Sequence, residues 1–163
     1  MKKIFDSVET LRSSIASNKT ITLVAGCFDL LHVGHLSLLE YAKEFEDILV
    51  VCVLSDKCVR SYKNPERPII SEIHRAMMVS GLECVDRVYI ADKSPSDYET
   101  LSILKPKSLV YGLDKNPVSC NTLESRISRI KKEFPNITIH LNKRYETSFT
   151  STSAIIEKIR GII

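Results

Sequence analysis

The stretch Ile21-Thr22-Leu23-Val24-Ala25-Gly26-Cys27-Phe28-Asp29-Leu30-Leu31-His32-Val33-Gly34-His35 runs from a nearly unbroken apolar segment into ten residues that hold two of the chain's four histidines and two of its five glycines. An apolar run without alternation marks a strand buried on both faces, as in parallel sheets covered by helices. Leu38, Leu39, Ala42 and Phe45 then recur at helical spacing and predict a helix over residues 34–46. The histidines and glycines therefore sit between the end of a buried strand and the start of a helix.

The same alternation continues outward. Residues 20–25, 48–54, 85–90, 108–111 and 137–141 read as strands. Helices are predicted over 71–81, with Ser71 as cap and Gly81 as stop, over 95–104 with Pro95 in the first turn, over 120–134 ending before Pro135, and over 151–160. Two prolines make residues 64–68 a loop. The fold expected is a doubly wound, Rossmann-like α/β domain spanning 1–163, with a parallel sheet of about five strands and helices on both faces.

Bulk composition narrows the function. The chain has 163 residues, 26% charged and 44% hydrophobic, the balance of a single folded domain. Lys and Arg number 23 against 20 Asp and Glu, and a net charge of +3 gives no basic stripe for nucleic acid. No apolar run approaches the roughly 20 residues that span a bilayer, and the start of the chain does not read as a signal peptide, so a cytoplasmic protein with no membrane partner is expected. Five cysteines without a C-x-x-C pair are read as reduced thiols.

In a doubly wound fold, ligands bind beyond the carboxyl ends of the strands, where Gly26 and the following helix start are placed. Gly26 allows a tight turn and close approach of a ligand to the backbone, and a helix N-terminus attracts anions. His32 and His35 can point together and donate to one phosphate, stabilising charge during a displacement. A zinc ion on the same pair would need further ligands, for which Cys27 and Asp29 are nearby, but the spacing matches no zinc pattern; no resident metal is expected. Asp29 is read as fixing the glycine-rich turn, and His74 and His140 as structural or surface residues.

Residues 26–35 resemble the G-[TC]-F-D-x-x-H-x-G-H signature of the cytidylyltransferase-like nucleotidylyltransferases. Leu54-Ser55-Asp56, Arg67-Pro68-Ile69-Ile70 with Glu72 and Arg75, Val85-Asp86-Arg87-Val88, Gly112-Leu113-Asp114 and Ser151-Thr152-Ser153 resemble further elements of that family in the same order. The resemblance implies that His32, His35 and Lys43 act on the phosphates and that Gly26, Cys27, Phe28, Gly34, Gly112, Asp114, Ser151, Thr152 and Ser153 hold the nucleotide. Asp56 or Arg75 would serve the acceptor. The chain departs from many relatives in having no glycine over residues 144–150 and in reading Gly-Leu-Asp-Lys at 112–115.

The activity implied is transfer of a nucleoside monophosphate from an NTP, accompanied by Mg²⁺, to a phosphorylated small molecule, with release of pyrophosphate. Heptose 1-phosphate with ATP fits the resemblance best. Glycerol 3-phosphate or another polyol phosphate with CTP, FMN with ATP, and a nucleotide-binding regulatory module without turnover stay open. A homodimer is implied by resemblance alone.

Overall fold

A computed structural model describes residues 3–62, 65–93, 98–112, 117–142 and 151–162, with backbone alone for 117–122. The opening apolar run forms β2 (Ile21–Gly26), and the helix after it is α2 (Val33–Lys43). Around these lie β1 (Ile4–Phe5), α1 (Val8–Ser13), β3 (Ile48–Leu54), α3 (Asp56–Tyr62), α4 (Glu72–Ser80), β4 (Arg87–Ala91), α5 (Tyr98–Leu104), β5 (Ser108–Gly112), α6 (Pro117–Glu133), β6 (Thr138–Asn142) and α7 (Thr152–Arg160).

The strands form one sheet in the order β1-β4-β3-β2-β5-β6, and every neighbouring pair is parallel. The doubly wound architecture expected from the sequence is present, with six strands rather than about five. The additional strand is β1, whose two residues pair with Val88 and Tyr89 and are too few to carry a period. The short helices α1 and α3 also escape a periodicity reading. Each has a serine cap: Ser7 Oγ accepts from Thr10 N, and Ser55 Oγ from Cys58 N at 3.1 Å. Such a cap without an apolar repeat behind it is a weak signal.

Side chains along β3 show why the strands read as continuous apolar runs. Val50, Cys52 and Leu54 pack in one core layer with Leu11 of α1, Val59 of α3 and Leu101 of α5, whereas Leu49, Val51 and Val53 pack with Leu39 of α2 and Ala76 of α4 in the other. With helices on both faces, neither set of alternate positions meets water, so period two disappears from the sequence. Helix α6 begins at Pro117, where proline fits the first helical position, three residues before the predicted start. Pro95 lies outside the described residues.

The sheet grows from β2 in two directions, through β3 and β4 on one side and through β5 and β6 on the other. That reversal opens a crevice at the carboxyl ends of β2 and β5.

Candidate active site

The chain leaves β2 through a turn built on two left-handed residues, Phe28 at φ 53° and Leu30 at φ 47°. Left-handed backbone costs a bulky residue about 1–2 kcal/mol, so the surrounding structure must hold both in place. No described glycine has positive φ, which corrects the expectation that Gly26 supplies the tight turn. The absent side chain of Gly26 instead makes room for Phe28, because a Cβ there would lie 3.1 Å from the phenyl ring.

Asp29 is the buried anchor of this turn. Its Oδ1 accepts from Ile70 N at 2.9 Å, and its Oδ2 from Ile69 N at 3.0 Å and Arg67 Nη1 at 3.1 Å. Its backbone carbonyl accepts from Thr152 Oγ1 at 2.8 Å. One residue thereby ties the turn after β2 to the α3–α4 connection and to the start of α7, in keeping with the structural role read from sequence.

His32 caps α2, with Nδ1 accepting from Gly34 N at 3.1 Å. Burial lowers the pKa of His32 from its ordinary value, so the ring is neutral at pH 7 and carries its proton on Nε2. The His32 and His35 rings stack with centroids 3.8 Å apart, and Phe28 meets His35 edge-on at 5.2 Å. Side chains that the sequence places three apart are thus brought into one pair at a helix N-terminus. At the start of α7, Ser151 Oγ accepts from Ala154 N at 3.2 Å, and Ser153 is exposed in the first turn.

Between these elements lies a cleft of about 310 Å³. Gly26, Cys27 and Phe28 line it together with Leu38 and Gly112 at the end of β5, and His35, Thr152 and Arg67 bring polar groups to it. Two helix N-termini flank the cleft, each a source of free N–H groups and positive potential. Imidazole, hydroxyl, guanidinium and backbone N–H are donors suited to phosphate oxygens. Among the described residues, no group of three or more His, Cys, Asp or Glu is arranged to hold a metal ion.

The sequence pattern of one protein family matches residues 23–158, nearly the whole of the sheet and its helices. The chain belongs to the cytidylyltransferase-like family. This cytidylyltransferase-like chain is 38% identical over 161 residues to the bifunctional protein HldE of Campylobacter jejuni, covering 98% of the chain and 32% of that relative. It is 40% identical over 154 residues to the bifunctional protein HldE of Helicobacter pylori, covering 94% of the chain and 30% of that relative. The chain therefore spans about a third of the length of these relatives. A lipopolysaccharide core biosynthesis protein from Thermoplasma volcanium superposes with a TM-score of 0.64 at 28% identity, covering 79% of this chain and all of that one. A pantoate-beta-alanine ligase from Francisella tularensis shares the fold alone, with a TM-score of 0.67 at 18% identity. The cytidylyltransferase-like domain is a nucleotidyltransferase domain.

Three residues expected in the site of this cytidylyltransferase-like domain lie elsewhere. Lys43 stands roughly two turns beyond His35, about 12 Å along α2. There, at the amino ends of β3 and β4 and so at the opposite end of the sheet, it donates to Asp86 Oδ2 and to Asp47 O at 2.9 Å. The helix axis carries it away from the phosphates, so the catalytic expectation for Lys43 is corrected to a structural one. Lys43→Ala is expected to leave kcat/KM within about twofold of wild type and to lower stability by about 1 kcal/mol or less, the range of partly exposed pairs. A steady-state assay beside denaturant unfolding checks this; a fall in turnover of 100-fold would restore the catalytic role.

Arg75 is fully buried rather than presented to an acceptor. Its guanidinium donates to Cys27 O, to Leu54 O at 2.7 Å, to Ile70 O at 2.8 Å and to Asp56 Oδ1 at 2.8 Å. Asp56 is drawn into the same network, its own N–H donating to Glu72 Oε2. Together they fix the carboxyl ends of β2 and β3 against α4, which makes Arg75 a positioning residue in this structure. Asp114 and residues 144–150 lie outside the described residues. His74 is exposed, and His140 stacks on Phe45 at 3.7 Å and meets Ser108 Oγ at 3.2 Å, away from the cleft.

Arg67 and Leu38 line the cleft without having been singled out as site residues. Arg67 was within reach of sequence reasoning as a cation in the proline-bounded loop, whereas Leu38 is one apolar position among many in a helix and carries no signal of its own.

Proposed function

We propose that the domain transfers a nucleoside monophosphate from an NTP to the phosphate of a small molecule, releasing pyrophosphate. The observation that carries this reading is the stacked His32–His35 pair beside a cleft flanked by the N-termini of α2 and α7. A phosphate oxygen of the acceptor forms a bond to the α-phosphorus while the bond from that phosphorus to the α,β-bridging oxygen breaks, and the electron pair leaves with pyrophosphate. The acceptor is ionised at pH 7, so no protein nucleophile or general base is required; positioning and charge stabilisation suffice.

His35 would donate to the α-phosphate, supported by His32, while Ser151, Thr152, Ser153 and the free N–H groups of α7 would hold the β- and γ-phosphates. Gly26 and Gly112, which line the cleft, would lie against the nucleotide. Magnesium bound to the triphosphate would neutralise charge on it. The donors lining the cleft suit phosphate oxygens rather than a cation, and the Asp29 carboxylate is already occupied, so the ion would be held chiefly by the triphosphate.

ATP and a sugar phosphate such as heptose 1-phosphate are the preferred pair. Both the HldE relatives and the lipopolysaccharide core biosynthesis neighbour support this choice. Pyrophosphate release measured with ATP and with CTP, each against heptose 1-phosphate, glycerol 3-phosphate and FMN, tests it. Product is expected first with ATP and heptose 1-phosphate. Release only with CTP and a polyol phosphate would replace the substrate assignment, and release with none of the pairs would remove the transferase reading.

A further inference from the structure

We propose that Arg67 is the residue that binds the acceptor's phosphate, an assignment that rests on the transferase reading above and extends it to the acceptor half of the site. Arg67 lies in the connection between α3 and α4 and lines the cleft with its side chain 18% exposed. Among the described residues lining the cleft it is the one lysine or arginine. Its neighbours already fix it: Nη1 donates to Asp29 Oδ2, and the Asp29 carboxylate is itself held by the N–H groups of Ile69 and Ile70.

A guanidinium carries five N–H donors in a rigid fork that matches a phosphate in two-point contact. One donor is committed to Asp29, which orients the plane and leaves the rest of the fork for the cleft. Pairing with Asp29 also lets an arginine rest partly buried while no ligand is bound, because the charge is compensated. An approaching dianion then meets a donor array already set in place, with little ordering left to do on binding.

Position decides between the two anionic substrates. Among the groups assigned to the nucleotide, Gly112 ends β5 on one side of β2, whereas Arg67 comes from the α3–α4 connection, which follows β3 on the other side of β2. In-line displacement places the attacking oxygen opposite the departing pyrophosphate. With the nucleotide against Gly112 on the β5 side, the acceptor would enter from the Arg67 side, and His35, which also lines the cleft, would meet the α-phosphate between them. Asp29 then acts through Arg67 as a positioning residue.

The test compares wild type with Arg67→Ala and Arg67→Lys by calorimetric titration of heptose 1-phosphate, inorganic phosphate and a non-hydrolysable ATP analogue, followed by steady-state kinetics. Arg67→Ala is expected to weaken heptose 1-phosphate binding, and to raise its KM, on the order of tenfold or more, the scale of a lost charge-assisted hydrogen bond, while affinity for the ATP analogue stays within about twofold. Arg67→Lys, which keeps a charge and a donor for Asp29, serves if the alanine variant does not fold; it should retain the wild-type unfolding midpoint and still lose acceptor affinity. Weakened analogue binding with unchanged acceptor binding would overturn the assignment, as would unchanged affinity for both. A wild-type chain that binds both ligands without releasing pyrophosphate would remove the transferase reading alone, and the loss of acceptor affinity in Arg67→Ala would still support this residue. A wild type that binds no phosphate ester overturns the assignment, and pyrophosphate release with some other acceptor would then leave the transferase reading standing.

Discussion

His35→Ala is expected to lower turnover on the order of 100-fold or more while the unfolding midpoint stays near that of wild type, because a preorganised donor to developing charge is worth about 3 kcal/mol of transition-state stabilisation. His35 lines the cleft and is held by the stacked His32 ring and the edge of Phe28, so its orientation is fixed before substrate arrives. An interaction made mainly in the transition state appears in kcat rather than KM. His32→Asn separates the two roles of His32: asparagine can still cap α2 and preserve the helix, but it does not replace the imidazole stacked on His35. It is expected to fold normally and to lose activity. Near-wild-type turnover in His35→Ala, measured by pyrophosphate release at saturating substrate, would sink the proposed mechanism.

Arg75→Ala is expected to destabilise the domain by about 3–5 kcal/mol, the cost of leaving buried partners of an ion pair without their counterpart. The substitution strands the carbonyls of Cys27, Leu54 and Ile70 and the Asp56 carboxylate, all of which accept from one guanidinium. A lysine cannot reproduce a fork that reaches several acceptors at once, so Arg75→Lys should recover only part of the loss. Denaturant unfolding of the three proteins reads the effect directly. A loss below about 1 kcal/mol would show that the network is not what holds the carboxyl ends of β2 and β3 together. Activity should fall with stability in Arg75→Ala, in contrast to His35→Ala, where the two separate.

The legible part of this protein is the part whose signal is local. Residues 21–26 and 48–54 announce buried parallel strands because helices cover both faces and every position is apolar. The alternation of such runs with amphipathic helices gives the doubly wound order, and with it the place where ligands bind. The concentration of His32, Gly34 and His35 at that place is visible without coordinates, and the proposed phosphate site rests on it. What escaped depends on length or on distance through space. β1, α1 and α3 are too short to show a period, and Lys43 is placed in the site by the family resemblance although the helix axis carries it to the far end of the strands.

Arg75 shows the same limit more sharply, since a charged residue in an E-x-R segment reads as surface or ligand-binding until three carbonyls from separate segments are seen around it. The sequence by itself determined the sheet, the family signature and the kind of chemistry, because apolar runs, helix caps and motifs are written in residues adjacent along the chain. Only the tertiary structure decided which charges face the cleft, why Phe28 and Leu30 adopt left-handed backbone, and that Asp29 joins Arg67 and Thr152 around the site. Those outcomes depend on contacts between residues up to 123 positions apart, whose energies no local pattern records.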